Sequence, residues 1–220
     1  MITENSTNIK DLISLIRRYF PSNLPYDDPA YQSSVEHQRL VKRQKEMLEN
    51  TSFIECLTSK LEQISYPYPL INWINLEDYP DIEYKILLHK HQDILDNSDL
   101  LLTQLKGVRR DIFLWVSIIG EYYYYSIEKM IKKSDKYFFC YDVLHGEEEV
   151  ALIHRLEDFF SQEGYAKLPE EAANYILEDI ETELSIRGET TIFKCLFNDL
   201  WTNNEFGGLD SVKQLTPRIE

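Results

Sequence analysis

The stretch from Asp111 to Val143 constrains the fold of this chain most, because it is dense in residue types that a sheet uses well. Ile112 to Ile119 and Tyr122 to Ile131 are two long runs rich in β-branched and aromatic side chains, which pack well on a pleated surface. Gly120-Glu121 separates them and suits a tight hairpin turn beginning with glycine. A glycine bulge within one long strand is the competing arrangement. Lys132-Lys133-Ser134-Asp135 sets off a third strand, Tyr137 to Val143. An antiparallel meander is the simplest way to join the three.

The chain before this block has a different period. Ile9, Leu12, Ile13, Ile16 and Phe20 recur at helical spacing, so a helix is predicted from about Asn8 to Tyr19, ended by Phe20-Pro21. The Pro- and Asp-rich segment Pro21 to Pro29 reads as a loop. Helical spacing resumes through Leu40, Val41, Met47 and Leu48. Asn50-Thr51-Ser52 interrupts it, and Ser52 with Glu55 has the spacing of a capping box. Ile54, Leu57, Leu61 and Ile64 then share one helix face, giving either one bent helix or two. Tyr66-Pro67-Tyr68-Pro69 is the best internal boundary. It separates a helical segment, residues 1–65, from a mixed α+β part, residues 66–220, on which the N-terminal helices pack.

Beyond that boundary Ile82, Tyr84, Ile86 and Leu88 alternate with Asp81, Glu83, Lys85 and Leu87, the pattern of a strand with one buried face. Asp96 to Lys106 reads as a short helix closed by Gly107. After the meander, Leu152, Ile153, Leu156, Phe159 and Phe160 form one amphipathic stripe ended by Gly164. Ala173, Ile176, Leu177, Ile180 and Leu184 form a second, with Pro169 at its start and Gly188 past its end. Thr190 to Phe197 reads as a final buried strand, and the tail from Trp201 as irregular. The predicted fold class is α+β: N-terminal helices, then a mostly antiparallel sheet covered on one face by two amphipathic acidic helices.

Several classes of protein are disfavoured. The chain is 43% hydrophobic and 28% charged, which suits a packed globule and argues against disorder. The beginning of the sequence lacks a basic stretch followed by an apolar one, so no secretory signal is expected. The longest apolar run, Ile112 to Ile119, is interrupted by Ser117 and falls well short of the roughly 20 residues of a membrane helix. Cys56, Cys140 and Cys195 are widely spaced, which fits reduced thiols in a cytoplasm. No Gly-x-Ser-x-Gly elbow, phosphate-cradling glycine loop or His-Glu-x-x-His helix occurs. No cofactor is expected.

Two short patterns touch on metal chemistry. His89 and His91 stand two apart on a predicted strand, on one face, but no further ligand stands at a metal-site spacing. They are weak candidates, read as a solvated strand face. Asp81, Glu83 and Lys85 echo the acidic-x-Lys pattern of metal-dependent nucleases, without the separately placed Asp or the basic surface such enzymes show. His154 has Glu157 three residues on and reads as a satisfied surface histidine.

Charge distribution is more informative. Residues 111–220 hold 22 Asp/Glu against 10 Lys/Arg, and residues 142–189 alone hold 14 against 3, a net of −11 out of −15. That field repels nucleic acid and anionic membrane and steers a basic partner. Glu147, Glu148, Glu149, Glu170 and Glu171 sit at predicted helix starts, where the macrodipole favours them. Glu178, Asp179, Glu181 and Glu183 lie further along the second acidic helix, as like-charge pairs that cost a few tenths of a kcal/mol each. Tyr122, Tyr123, Tyr124 and Tyr125 alternate between two strand faces, an interface for a partner if exposed and core if a helix layer covers them.

The function expected is a non-catalytic binding domain for a basic protein partner, using the four acids and the four tyrosines. In composition and lack of catalytic motifs the chain is like the immunity proteins that neutralise toxins, an analogy of class only. The alternative is an enzyme with a site assembled from scattered carboxylates and histidines.

Overall fold

A computed structural model describes residues 8–90, 99–133, 136–199 and 213–214. The first helix, α1 (Ile9–Ile16), begins where the Asn8 side chain accepts the Lys10 amide at 3.1 Å, and it buries Leu12 and Ile16. After the loop, Asp28 caps the single turn α2 (Pro29–Gln32). Ser34 caps α3 (Val35–Glu49). Two helices follow one another here, because Asn50 both ends α3 and caps α4 (Thr51–Ser65), accepting the Phe53 amide. The cap is thus Asn50 rather than Ser52, whose hydroxyl instead donates to the Asn50 side chain at 3.1 Å. In α4, Leu57 and Leu61 are buried, with Ile54 and Ile64 packed beside them. In α3, by contrast, Val41 and Leu48 point outward.

The sheet begins with β1 (Leu70–Asn72) and β2 (Asp81–Leu87). After α5 (Asp99–Gln104), the chain turns through Lys106 and Gly107, both at positive φ, into β3 (Val108–Ser117). Next come β4 (Tyr122–Lys133) and β5 (Lys136–Tyr141), then α6 (Gly146–Gln162), β6 (Ala166–Lys167), α7 (Glu170–Ala173), α8 (Ile192–Leu196) and β7 (Lys213–Gln214). The strand order is β1-β2-β3-β4-β5-β7, all antiparallel, with β6 pairing in parallel beside the start of β4. The fold is therefore α+β, with a mostly antiparallel sheet.

β3 and β4 do form a hairpin rather than one bulged strand, but its connection is the four residues Ile118 to Glu121 and not a tight Gly120-Glu121 turn, since Val116 pairs with Tyr123. A Cβ at position 120 would come within 2.6 Å of the Leu15 Cδ2 on α1, so any larger residue there would have to push the Leu15 side chain aside.

Helices cover both faces of the sheet. On one face Tyr84 meets Thr58 of α4 at 2.8 Å, and Tyr123 stacks on Phe160 of α6 with ring centroids 4.3 Å apart. On the other, Trp115 and Tyr124 meet Phe193 of α8 edge-on at 5.3 and 5.4 Å. β2 consequently has no solvent face: Asp81 and Lys85 are as buried as Ile82 and Tyr84. One hydrophobic cluster runs from Leu12 of α1 through the strands to Phe160 and Phe197.

Two predicted elements are absent. The second acidic helix stops after α7, whose last turn is closed by Asn174 donating its side-chain amide to the Glu170 carbonyl at 3.1 Å. The chain then runs without helix, and Leu177 and Ile192 donate to the carbonyls of Thr190 and Tyr175 at 2.8 and 3.1 Å. Of the predicted apolar stripe, Ile176 and Leu184 are exposed. The like-charge pairs that would weaken a helix are relieved in this form, because two of the acids find bases elsewhere. The predicted final strand is α8, capped by Thr191 accepting the Lys194 amide. A short, wholly buried run carries no period to separate strand from helix.

Among the described residues no helix is long and apolar enough to cross a membrane. The cysteines are free, Cys56 exposed and Cys195 buried.

Candidate functional site

The four acids singled out in the sequence divide into two kinds. Asp179 is bound to Arg17 of the α1 C-terminus at 2.9 Å. Glu181 accepts from Arg187 at 2.9 Å and from the Tyr26 amide at 3.0 Å. These two have structural work, Asp179 tying the C-terminal segment to the end of α1 and Glu181 tying it to the loop that precedes α2. Glu178 and Glu183 are exposed, as is Glu189.

The same segment exposes apolar side chains that the helical reading had buried or passed over. Tyr175 and Ile176 are about two-fifths exposed, and Leu184 and Ile186 more than half. The backbone that carries them is held by the Leu177 and Ile192 hydrogen bonds and by a mutual pair between Thr182 and Ser185. A fixed, irregular segment that alternates apolar side chains with carboxylates has the mixed character of a protein-binding surface. A sequence signal for it existed in the like-charge pairs and Asn174, which argue against continuing the helix.

The tyrosine run is mostly interior. Tyr123 and Tyr124 are buried, Tyr122 and Tyr125 half-buried. Burial, reinforced by the charge of Glu170, pushes the Tyr124 hydroxyl up to about 12. Tyr125 donates to Glu157 at 2.8 Å, and Lys167 lies 3.9 Å over its ring and 3.0 Å from Glu157. The chain's own lysine thus occupies the place where a cation from a partner was expected. The helix-start acids are placed as predicted: Glu147, Glu148 and Glu149 lie in the first turn of α6. Glu148 takes Lys90 and Tyr68, while Glu149 takes Arg110 and the His145 amide.

Asp81, Glu83 and Lys85 do share one face, under Trp73, Phe113 and Trp115. Lys85 sits 3.6 Å from the Trp73 ring centroid, and Asn198 donates to Glu83 at 3.4 Å. Burial pushes the Glu83 carboxyl up to about 7, against the pull of Lys85. Burial and then the nearby Glu83 also raise the Asp81 carboxyl well above its usual range. A cleft of about 760 Å³ opens near this strand end, lined by Arg18, Arg43, Glu46, Glu121 and Tyr165 among others, but neither Asp81 nor Glu83 lines it. His89 is buried past the end of β2, and His91 lies outside the described residues. Among the described residues no group of three or more His, Cys, Asp or Glu side chains is arranged to hold a metal ion. His154 is exposed on α6.

Comparison with known proteins finds no matching family model, no matching curated protein and no matching solved structure.

Proposed function

We propose that this protein is a non-catalytic binding protein, of the inhibitor or immunity kind, whose partner is a basic protein docking on the segment from Tyr175 to Glu189. The observation that carries the reading is the exposure of Tyr175, Ile176, Leu184 and Ile186 beside the exposed Glu178, Glu183 and Glu189 on one fixed, non-helical segment. Apolar side chains anchor an interface when water is excluded from them. The carboxylates select a cationic surface and speed its approach. The net −11 of residues 142–189 extends that preference over the surrounding surface. An enzymatic role for Asp81, Glu83 and Lys85 is less well supported, because the trio is closed under aromatic side chains and does not open into the cleft.

The test is affinity capture from the native host on immobilised protein, washed at low and high salt. A basic protein should be retained at low salt and released at high salt. The triple variant E178K/E183K/E189K should fail to retain it. Retention of the same protein by the triple variant would overturn the reading.

A further inference from the structure

The loop Pro21–Asp28 and the turn Ile180–Ser185 come from opposite halves of the chain and form one junction. Ser22 bridges Ile180, and the Asn23 amide donates to the Asp179 carbonyl at 2.7 Å. The Tyr26 amide reaches Glu181 Oε2 at 3.0 Å, and the Tyr31 hydroxyl donates to the Glu181 carbonyl at 3.0 Å. Asp199 closes the junction from behind, its Oδ2 accepting the Leu184 amide at 2.8 Å.

Two buried polar atoms at this junction have no hydrogen-bond partner among the described residues. Asp199 is 8% exposed and Thr182 is 7% exposed. Neither Asp199 Oδ1 nor Thr182 Oγ1 makes a hydrogen bond. A buried acceptor without a donor is costly, most of all on a carboxylate. The basic side chains nearby are committed elsewhere: Arg187 to Glu181, Arg17 to Asp179, and Lys194 to Ser185 Oγ and the Glu189 carbonyl. Around the two atoms lie more carboxylates. Asp199 is fixed beside Leu184 by its 2.8 Å bond, with Glu183 the next residue in the chain, and the Tyr26 hydroxyl is raised above its ordinary value by burial and then by the charges of Glu183, Asp199 and Asp27. Glu183 and Asp27 are exposed, and so are Leu184 and Ile186 beside them.

We propose that this junction is the anchor of the docking surface, receiving one lysine or arginine side chain of the basic partner against Asp199 Oδ1, Thr182 Oγ1 and Glu183. The inference rests on the binding function proposed above and makes it specific. The incoming cation donates charge-assisted hydrogen bonds to Asp199 and Thr182, Glu183 neutralises what remains of its charge, and the apolar stem lies along Leu184. Asp199 Oδ1 is closed from solvent, so the proposed contact requires the junction to open as the cation enters. The anchor draws on Tyr26 and Asp27 from the N-terminal half, outside the acidic stretch of sequence.

The test uses the full chain, labelled with ¹⁵N, and three capped peptides: Gly-Arg-Gly, Gly-Lys-Gly and the neutral Gly-citrulline-Gly. The Leu184 and Tyr26 amide resonances should shift saturably with the arginine or lysine peptide and not with citrulline. Asp199→Asn should weaken that binding about tenfold or more. If Asp199→Asn alters the fold, Thr182→Val and the exposed Glu183→Gln serve in its place. Shifts absent from both amides, shifts equal for citrulline, or binding untouched by these variants would each overturn the anchor. A captured partner lost on E178K/E183K/E189K yet unaffected by Asp199→Asn would leave the docking surface standing and remove only the anchor. Shifts that behave as expected without any salt-sensitive partner would keep the cation site and remove the docking reading.

Discussion

Glu83 is a carboxyl group that folding places where its charge is costly, and the consequence is measurable. In the unfolded chain it ionises near the ordinary glutamate value of 4.5, and in the fold near 7. Between those values the unfolded state has released the proton and the folded state has not, so raising the pH favours unfolding. Above about 7 both forms are ionised and the contribution stops changing. The stability lost across that window is about 1–3 kcal/mol for this group. Glu83→Gln removes the titration and keeps an acceptor for Asn198. Chemical denaturation from pH 4.5 to 7.5 should therefore show a shallower decline for the variant than for the parent. Parallel declines would place the titrating group elsewhere. Beside Glu83, Trp115 is completely buried between Phe113 and Phe193, with its indole bonded to that carboxyl. Trp115→Ala should cost about 3–5 kcal/mol in the same measurement.

At the scale of elements, what could be read from the sequence depended on whether the local pattern had a single physical solution. Ile9, Leu12, Ile13 and Ile16 in α1, and Ile54, Leu57, Leu61 and Ile64 in α4, mix steps of three and four, which one helix face can bury and one strand face cannot. The hairpin at Gly120 was legible because two β-rich runs flank one glycine. β2 was legible as a strand but not as a buried one, because Asp81, Glu83 and Lys85 looked like a wet face. Covering them depends on α8 and Trp73, which no local pattern announces. The segment after α7 misled for another reason. Its apolar residues fit a helical stripe, but the bonds that settle the matter run from Asp179 to Arg17 and from Glu181 to Tyr26, across most of the chain. The non-helical form makes a sharp prediction for amide hydrogen exchange. Leu177 and Ile192 amides should be protected by their cross-bonds, and the amides of Glu178 and Glu183 should exchange fast. Continuous protection from Tyr175 to Leu184 would instead indicate a helix. Gly107, which holds φ at +81° before β3, belongs to the same scale. Gly107→Ala should cost about 1–2 kcal/mol because an L-residue is strained there.

At the scale of the whole molecule the acidity has two separable roles, and salt tells them apart. Some carboxylates are structural: Glu149 grips Arg110, Asp179 grips Arg17, and Glu181 grips Arg187. The more buried of these pairs are little affected by ionic strength, since screening acts mainly on charges in water. The exposed Glu178, Glu183 and Glu189 form the outward field, and screening acts on them directly. Stability should therefore change little between 50 and 500 mM salt, while association with a basic partner slows by about tenfold or more over the same range. The triple variant E178K/E183K/E189K should keep the unfolding free energy within about 0.5 kcal/mol of the parent, because none of the three is in an ion pair with another of the described residues. Its association rate should lose most of the salt dependence. Stopped-flow association and urea denaturation on the same two proteins separate the roles. If the variant unfolds markedly more easily, these acids belong to the fold; if only its association slows, their charge is spent on the partner.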